Sequence, residues 1–167
     1  MAFYRQDPEM AYCLKGLLDR FEKEGRPNLQ KNIAITWIRY DNNNPSPSNG
    51  YGTGWNSKKF YYPASIVKIV YALATQVWLK KDLIVETEEL RRALYEMVAN
   101  SNNDATSYIL DVLTGTTSGP SLNEQNFQAW KIQRKLINEW LNSLQWPEIK
   151  NWNCSQKTWS EGPFGRE

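Results

Sequence analysis

Only two stretches of this chain alternate in polarity at the two-residue period of a β-strand, and both lie before residue 56. From Asn32, the residues Ile33, Ile35 and Trp37 alternate with smaller or polar neighbours through Tyr40, and a second, glycine-interrupted run covers Tyr51 to Trp55. Asp41 to Gly50, between them, is a loop of Asn, Pro and Ser, so the two strands are expected to form an antiparallel pair. Every other periodic stretch is helical. The expected class is therefore α/β (α+β): an N-terminal helix and an antiparallel strand pair, followed by a largely helical region. Two strands alone leave unpaired edges, which proteins normally cover or complete. The sheet is expected to be unfinished within this sequence.

Helix boundaries are marked by caps. Asp7-Pro8 has the cap-then-proline start, Met10, Cys13, Leu14, Leu17, Leu18 and Phe21 recur at helical spacing, and Gly25 with Pro27 closes the element. Pro63 is expected to open a long helix to about Leu79, and Thr87 to cap another that stops near Ala99. Asn100 to Asn103 reads as a polar turn, and Asp104 as the start of a short helix ending around Gly115. Ser121-Leu122-Asn123-Glu124 has the capping-box pattern, followed by Phe127, Trp130, Ile137, Trp140, Leu141 and Leu144 on one helical face. Pro147 is expected to end that helix and Glu148 to Glu167 to be irregular. With 167 residues and no evident linker, residues 1–167 are expected to form one domain.

Composition removes several chemistries. There is no histidine, so neither a Ser-His-Asp triad nor Cys-His catalysis is open to this chain. The charge is nearly balanced, 20 basic against 18 acidic residues, with no basic stripe of the kind that binds nucleic acid. Cys13 and Cys154 are too far apart in sequence to suggest a disulfide framework or a metal site, and reduced, structural thiols are expected. No metal or organic cofactor is implied. The first residues lack the apolar core of a signal peptide, and no stretch approaches the length of a membrane span, so a cytoplasmic protein without a membrane partner is expected. The abundant aromatics, eight Trp, nine Tyr and five Phe, are expected mainly to fill core and interface.

Without histidine, the leading nucleophile–base pair is Ser65 and Lys68, in Tyr62-Pro63-Ala64-Ser65-Ile66-Val67-Lys68. Residues three apart share a helical face, and Ser65 would lie in the first turn, near the positive end of the helix dipole. A lysine accepts a proton near neutral pH only if its pKa falls well below about 10.4. Burial among apolar groups does this, and Lys68 is flanked by Ile66, Val67, Ile69, Val70 and Tyr71. The same wheel also places Ser65, Lys68, Ala72, Thr75, Gln76 and Lys80 along one stripe, which an ordinary solvent-facing side would show. A second polar group, Ser101-Asn102-Asn103, follows one helix later. Its hydroxyl could relay a proton beside the lysine and its carboxamide could hold a substrate amide. Alternatively, Ser101 or Asn103 caps the helix that begins at Asp104.

These two runs, with Met97-Val98-Ala99-Asn100 leading into Ser101-Asn102-Asn103-Asp104-Ala105, resemble the Ser-x-x-Lys and Ser-Asp-Asn motifs of class A β-lactamases and related serine hydrolases. The resemblance covers residues 1 to about 115. It implies a β-lactamase-like fold and a serine hydrolase that opens an amide or β-lactam through an acyl-serine. On that basis Ser65 is the acylated nucleophile, Lys68 the adjacent base or proton relay, Ser101 the proton donor to the leaving nitrogen, and Asn103 a substrate contact. Asn102 stands where the family has aspartate. The family's Lys-Thr-Gly motif is not found: Lys157-Thr158-Trp159 lacks the glycine. The domain is therefore expected to be incomplete at its C-terminal side, with the rest of its sheet missing. Glu161 and Glu167 are candidates by position for the base that activates a deacylating water. The expected partner is a small amide or β-lactam. A second copy or a complementing chain could pair with the open sheet edges. A peptidase or esterase of the penicillin-binding kind, or a non-catalytic fragment that needs a partner chain, are the alternatives.

Overall fold

The computed structural model describes residues 4–46, 48–117, 119, 121–146, 149 and 152–154. The chain divides into two compact units at the Tyr62–Pro63 junction. The protein is mixed α/β, with a small three-stranded sheet in the first unit and helices in both.

In the first unit, strand β1 (Arg5–Gln6) leads into helix α1 (Pro8–Lys23), then a short helix α2 (Leu29–Asn32) and strands β2 (Ile35–Tyr40) and β3 (Gly50–Trp55). Asp7 caps α1 as expected, its carboxylate accepting from the backbone N–H groups of Glu9 and Met10 at 3.0 and 3.1 Å. Met10, Leu14 and Leu18, four residues apart, give α1 its buried stripe, and the helix packs on β3 and α2. β2 and β3 pair antiparallel from Ile35–Trp55 to Tyr40–Gly50, as the alternation implied. Two details differ from expectation. The sheet has a third strand, since β1 runs parallel to β3 with Arg5 opposite Tyr51, giving the order β1-β3-β2. A two-residue strand is too short to show a period. The second difference is α2, which takes residues 29–32 out of the coil, so β2 starts at Ile35 rather than at Asn32. Gly52 is required where β3 passes β2, because a Cβ there would strike the Trp37 carbonyl oxygen.

The second unit is helical. A 3-10 turn over Ala64–Ile66 precedes α3 (Val67–Lys80), followed by α4 (Glu88–Ala99), α5 (Asn103–Thr114), α6 (Glu124–Arg134) and α7 (Leu136–Ser143). Its core is built from Tyr71, Ala74 and Trp78 of α3, Leu90, Ala93 and Met97 of α4, Ile109, Leu110 and Leu113 of α5, and Ile137 and Leu141 of α7. Burying each large apolar side chain contributes about 1.5–3 kcal/mol. Trp78 spans helices: its indole N–H donates to the Leu113 carbonyl at 3.1 Å and its ring meets Trp140 edge-on at 5.5 Å.

Thr87 caps α4 by accepting from the Leu90 N–H, as expected. The other caps correct the sequence reading. Asn102, not Ser101 or Asn103, caps α5, which begins at Asn103 rather than Asp104, and Asn123, not Ser121, caps α6. The single long helix expected after Glu124 is two, broken at Lys135. Gly115 ends α5 with φ +62°, a conformation that glycine adopts without strain. Pro147, Glu161 and Glu167 lie outside the described residues. Among the described residues, no helix is long and apolar enough to cross a membrane.

Candidate functional site

The site residues lie in the second unit, in the 3-10 turn before α3, on the first turn of α3 and at the junction of α4 and α5. α3 turns the face bearing Lys68, Tyr71, Thr75 and Trp78 inward. Lys68 is only 3% exposed and Thr75 is fully buried, so the stripe that could have faced solvent does not. The outward side carries apolar residues instead, Ile66, Ile69 and Leu73. Net hydrophobicity on both sides of α3 is why its period alone could not say which way Lys68 points.

The α4–α5 junction is shaped by its backbone. The N–H groups of Asn100 and Asn102 both donate to the Glu96 carbonyl, at 3.2 and 3.1 Å, closing the end of α4. Between them Ser101 takes a left-handed conformation with φ +53°, uncommon for a residue other than glycine. The Asn102 carboxamide then accepts from the Ala105 N–H at 2.9 Å and its carbonyl accepts from the Thr106 hydroxyl. An aspartate would cap the same helix equally well, so asparagine at this position preserves the turn.

Lys68 reaches into this turn. Its Nζ donates to the Ser101 carbonyl oxygen, to Ser101 Oγ at 2.9 Å and to Asn103 Oδ1 at 2.9 Å. Three acceptors meet the three protons of an ammonium. All three are uncharged, and among the described residues no carboxylate lies within ion-pair distance of Lys68. Burial therefore dominates its electrostatics and pushes the Lys68 pKa below the ordinary lysine value. The strained Ser101 backbone is what aims the carbonyl and the hydroxyl of one residue at the same amine. Nothing in the sequence signals that carbonyl as a ligand of Lys68.

The structure thus brings Lys68, Ser101 and Asn103 together. Ser65 stands apart: it is exposed, in the 3-10 turn rather than in the α-helix, and none of the Lys68 hydrogen bonds goes to it. Among the described residues, no group of three or more metal-ligating side chains is found. A cavity of about 300 Å³ lies elsewhere in the unit, lined by α3 and α4 residues including Lys80 and Arg91, and contains none of the candidate residues. No family model matches this chain, and neither a curated protein nor a solved structure matches it.

Proposed function

We propose that this protein is a serine hydrolase of the class A β-lactamase type on a β-lactamase-like fold, with Ser65 as nucleophile, Lys68 as base, Ser101 as proton relay and Asn103 as substrate contact. One observation carries the reading: a nearly dry, carboxylate-free lysine links the two short polar motifs by contacting Ser101 and Asn103. Perturbed lysines of this kind are concentrated at functional sites.

The chemistry runs in two stages. Lys68, once neutral, accepts the Ser65 proton as Ser65 Oγ attacks the carbonyl carbon, directly or through the Ser101 hydroxyl. The C–N bond then breaks, the Ser101 hydroxyl gives its proton to the leaving nitrogen, and Lys68 reprotonates Ser101. Water subsequently cleaves the acyl-serine. The Ser65–Lys68 hydrogen bond is not formed in the free protein, and such catalytic bonds commonly tighten only once substrate is bound. A cytoplasmic setting, which this reading retains, favours small amides or esters over cell-wall peptides as substrates.

A different reading is favoured by the completeness of the Lys68 hydrogen bonds. An ammonium with three acceptors is also a staple that pins the α4–α5 turn to α3, as a non-catalytic module would use it. A fluorescent penicillin separates the two. The hydrolase reading expects covalent labelling on the peptide containing Ser65 and at least a tenfold loss of labelling in Ser65→Ala. A folded protein that takes up no label would refute it.

A further inference from the structure

Of the three partners of Lys68, only one can reverse its hydrogen bond as the lysine changes protonation state. A carbonyl oxygen and the Oδ1 of a carboxamide accept and cannot donate, whereas a hydroxyl does both. As an ammonium, Lys68 donates to all three. As a neutral amine it keeps two N–H donors, which match the Ser101 carbonyl and Asn103 Oδ1, and its lone pair is left facing Ser101 Oγ at the same 2.9 Å. The partner set therefore fits both states without rearrangement, provided that the Ser101 hydroxyl turns its proton toward the nitrogen. Ser101 is an exposed residue and Lys68, its base, is buried, so a reagent approaching from solvent meets the serine before the amine.

We infer that Ser101 is a second nucleophile of this site, activated by Lys68 and able to take a small acyl- or sulfonyl-type electrophile on its own oxygen. This deepens the hydrolase reading and rests on it only for Lys68 as a base, not for Ser65. With a sulfonyl fluoride, Ser101 Oγ attacks sulfur, the S–F bond breaks and fluoride leaves. The hydroxyl proton passes to Lys68 Nζ, leaving a sulfonate ester on Ser101 and an ammonium at Lys68. Burial supports the step, because it lowers the pKa of Lys68 and so raises its neutral fraction.

The test uses the full chain carrying Ser65→Ala, treated with phenylmethanesulfonyl fluoride and mapped by peptide mass spectrometry. The inference expects one sulfonyl group on Ser101, added at least tenfold faster than in Ser65→Ala/Lys68→Arg and absent from Ser65→Ala/Ser101→Ala. An inert Ser65→Ala protein, or modification that does not depend on Lys68, overturns it. If wild type is labelled by penicillin at Ser65 while Ser65→Ala resists the sulfonyl fluoride, the inference fails and the hydrolase reading stands. If Ser101 is sulfonylated in a Lys68-dependent way while wild type takes up no penicillin, the inference stands and the hydrolase reading fails. Should the Lys68→Arg background not fold, Ser101→Cys provides a second measurement. Its new thiol should be alkylated by iodoacetamide at least tenfold faster than exposed Cys13, and equal or slower alkylation overturns the inference.

Discussion

Replacing Lys68 with methionine separates a lysine kept for chemistry from one kept as a staple. Methionine matches the length of the lysine stem and can occupy the same buried position on α3. The substitution removes three hydrogen bonds from a charged donor, each contributing about 1.5–3 kcal/mol. It also removes the cost of holding an ammonium at 3% exposure, which is several kcal/mol for one ion. The abandoned acceptors belong to Ser101 and Asn103, both exposed, so water can take the lysine's place and no unsatisfied group is left behind. Water on the freed acceptors replaces most of what the three hydrogen bonds contribute, and release of the buried ammonium offsets the remainder. Lys68→Met should therefore change stability by no more than about 1 kcal/mol, a shift of under about 8 °C for a unit of this size. Its rate of acylation by a fluorescent penicillin should fall by about 10²- to 10⁴-fold, the usual contribution of a general base. Denaturant titration and stopped-flow labelling measure the two quantities on the same sample. A stability loss of about 3 kcal/mol or more, with acylation unchanged, would refute the reasoning and make Lys68 a staple.

Four other outcomes are expected. Because burial lowers the Lys68 pKa in the folded state, the folded protein binds fewer protons than the unfolded chain between that lowered value and the ordinary 10.5. Lys68 thus opposes folding most fully below its folded pKa, and wild type should gain stability relative to Lys68→Met as pH rises through that window, measured by denaturant midpoints; a falling difference contradicts the sign. Met97→Ala opens a cavity at a 1%-exposed core position and should cost about 2–5 kcal/mol in the same assay, whereas Asn102→Asp, which keeps the cap, should cost under about 0.5 kcal/mol. Burial pushes the Cys154 thiol up to about 11, so iodoacetamide at pH 8 should alkylate Cys13 alone in the native protein, and stoichiometric reaction at Cys154 would contradict this.

Much of the fold was legible because local signals agreed with it. Asp7-Pro8 and Thr87 set helix starts that the structure keeps, and the alternation of Ile35, Trp37 and their neighbours gave the β2–β3 pair. What escaped was either too short or decided by tertiary context. β1 has two residues and pairs with β3 across more than forty positions, which no window can see. The break at Lys135 carries no Pro or Gly, and Ser121 has the capping-box spacing while Asn123 does the capping. At the site, spacing nominated Lys68, Ser101 and Asn103, and the structure assembles those three. Spacing also put Ser65 beside Lys68, but a 3-10 turn intervenes where a regular helical turn was expected. That turn begins at Ala64, which has φ +46°, a conformation its sequence does not announce.

The most direct measurement is a pH titration of the Lys68 side chain, followed through its Cε chemical shift by NMR, with the same side chain in the urea-unfolded chain as reference. A midpoint clearly below that of the reference is expected, since a buried amine with only neutral acceptors yields its proton more readily. A midpoint equal to or above the reference would mean that the three acceptors hold the ammonium too firmly for Lys68 to serve as a base, for Ser65 or for Ser101.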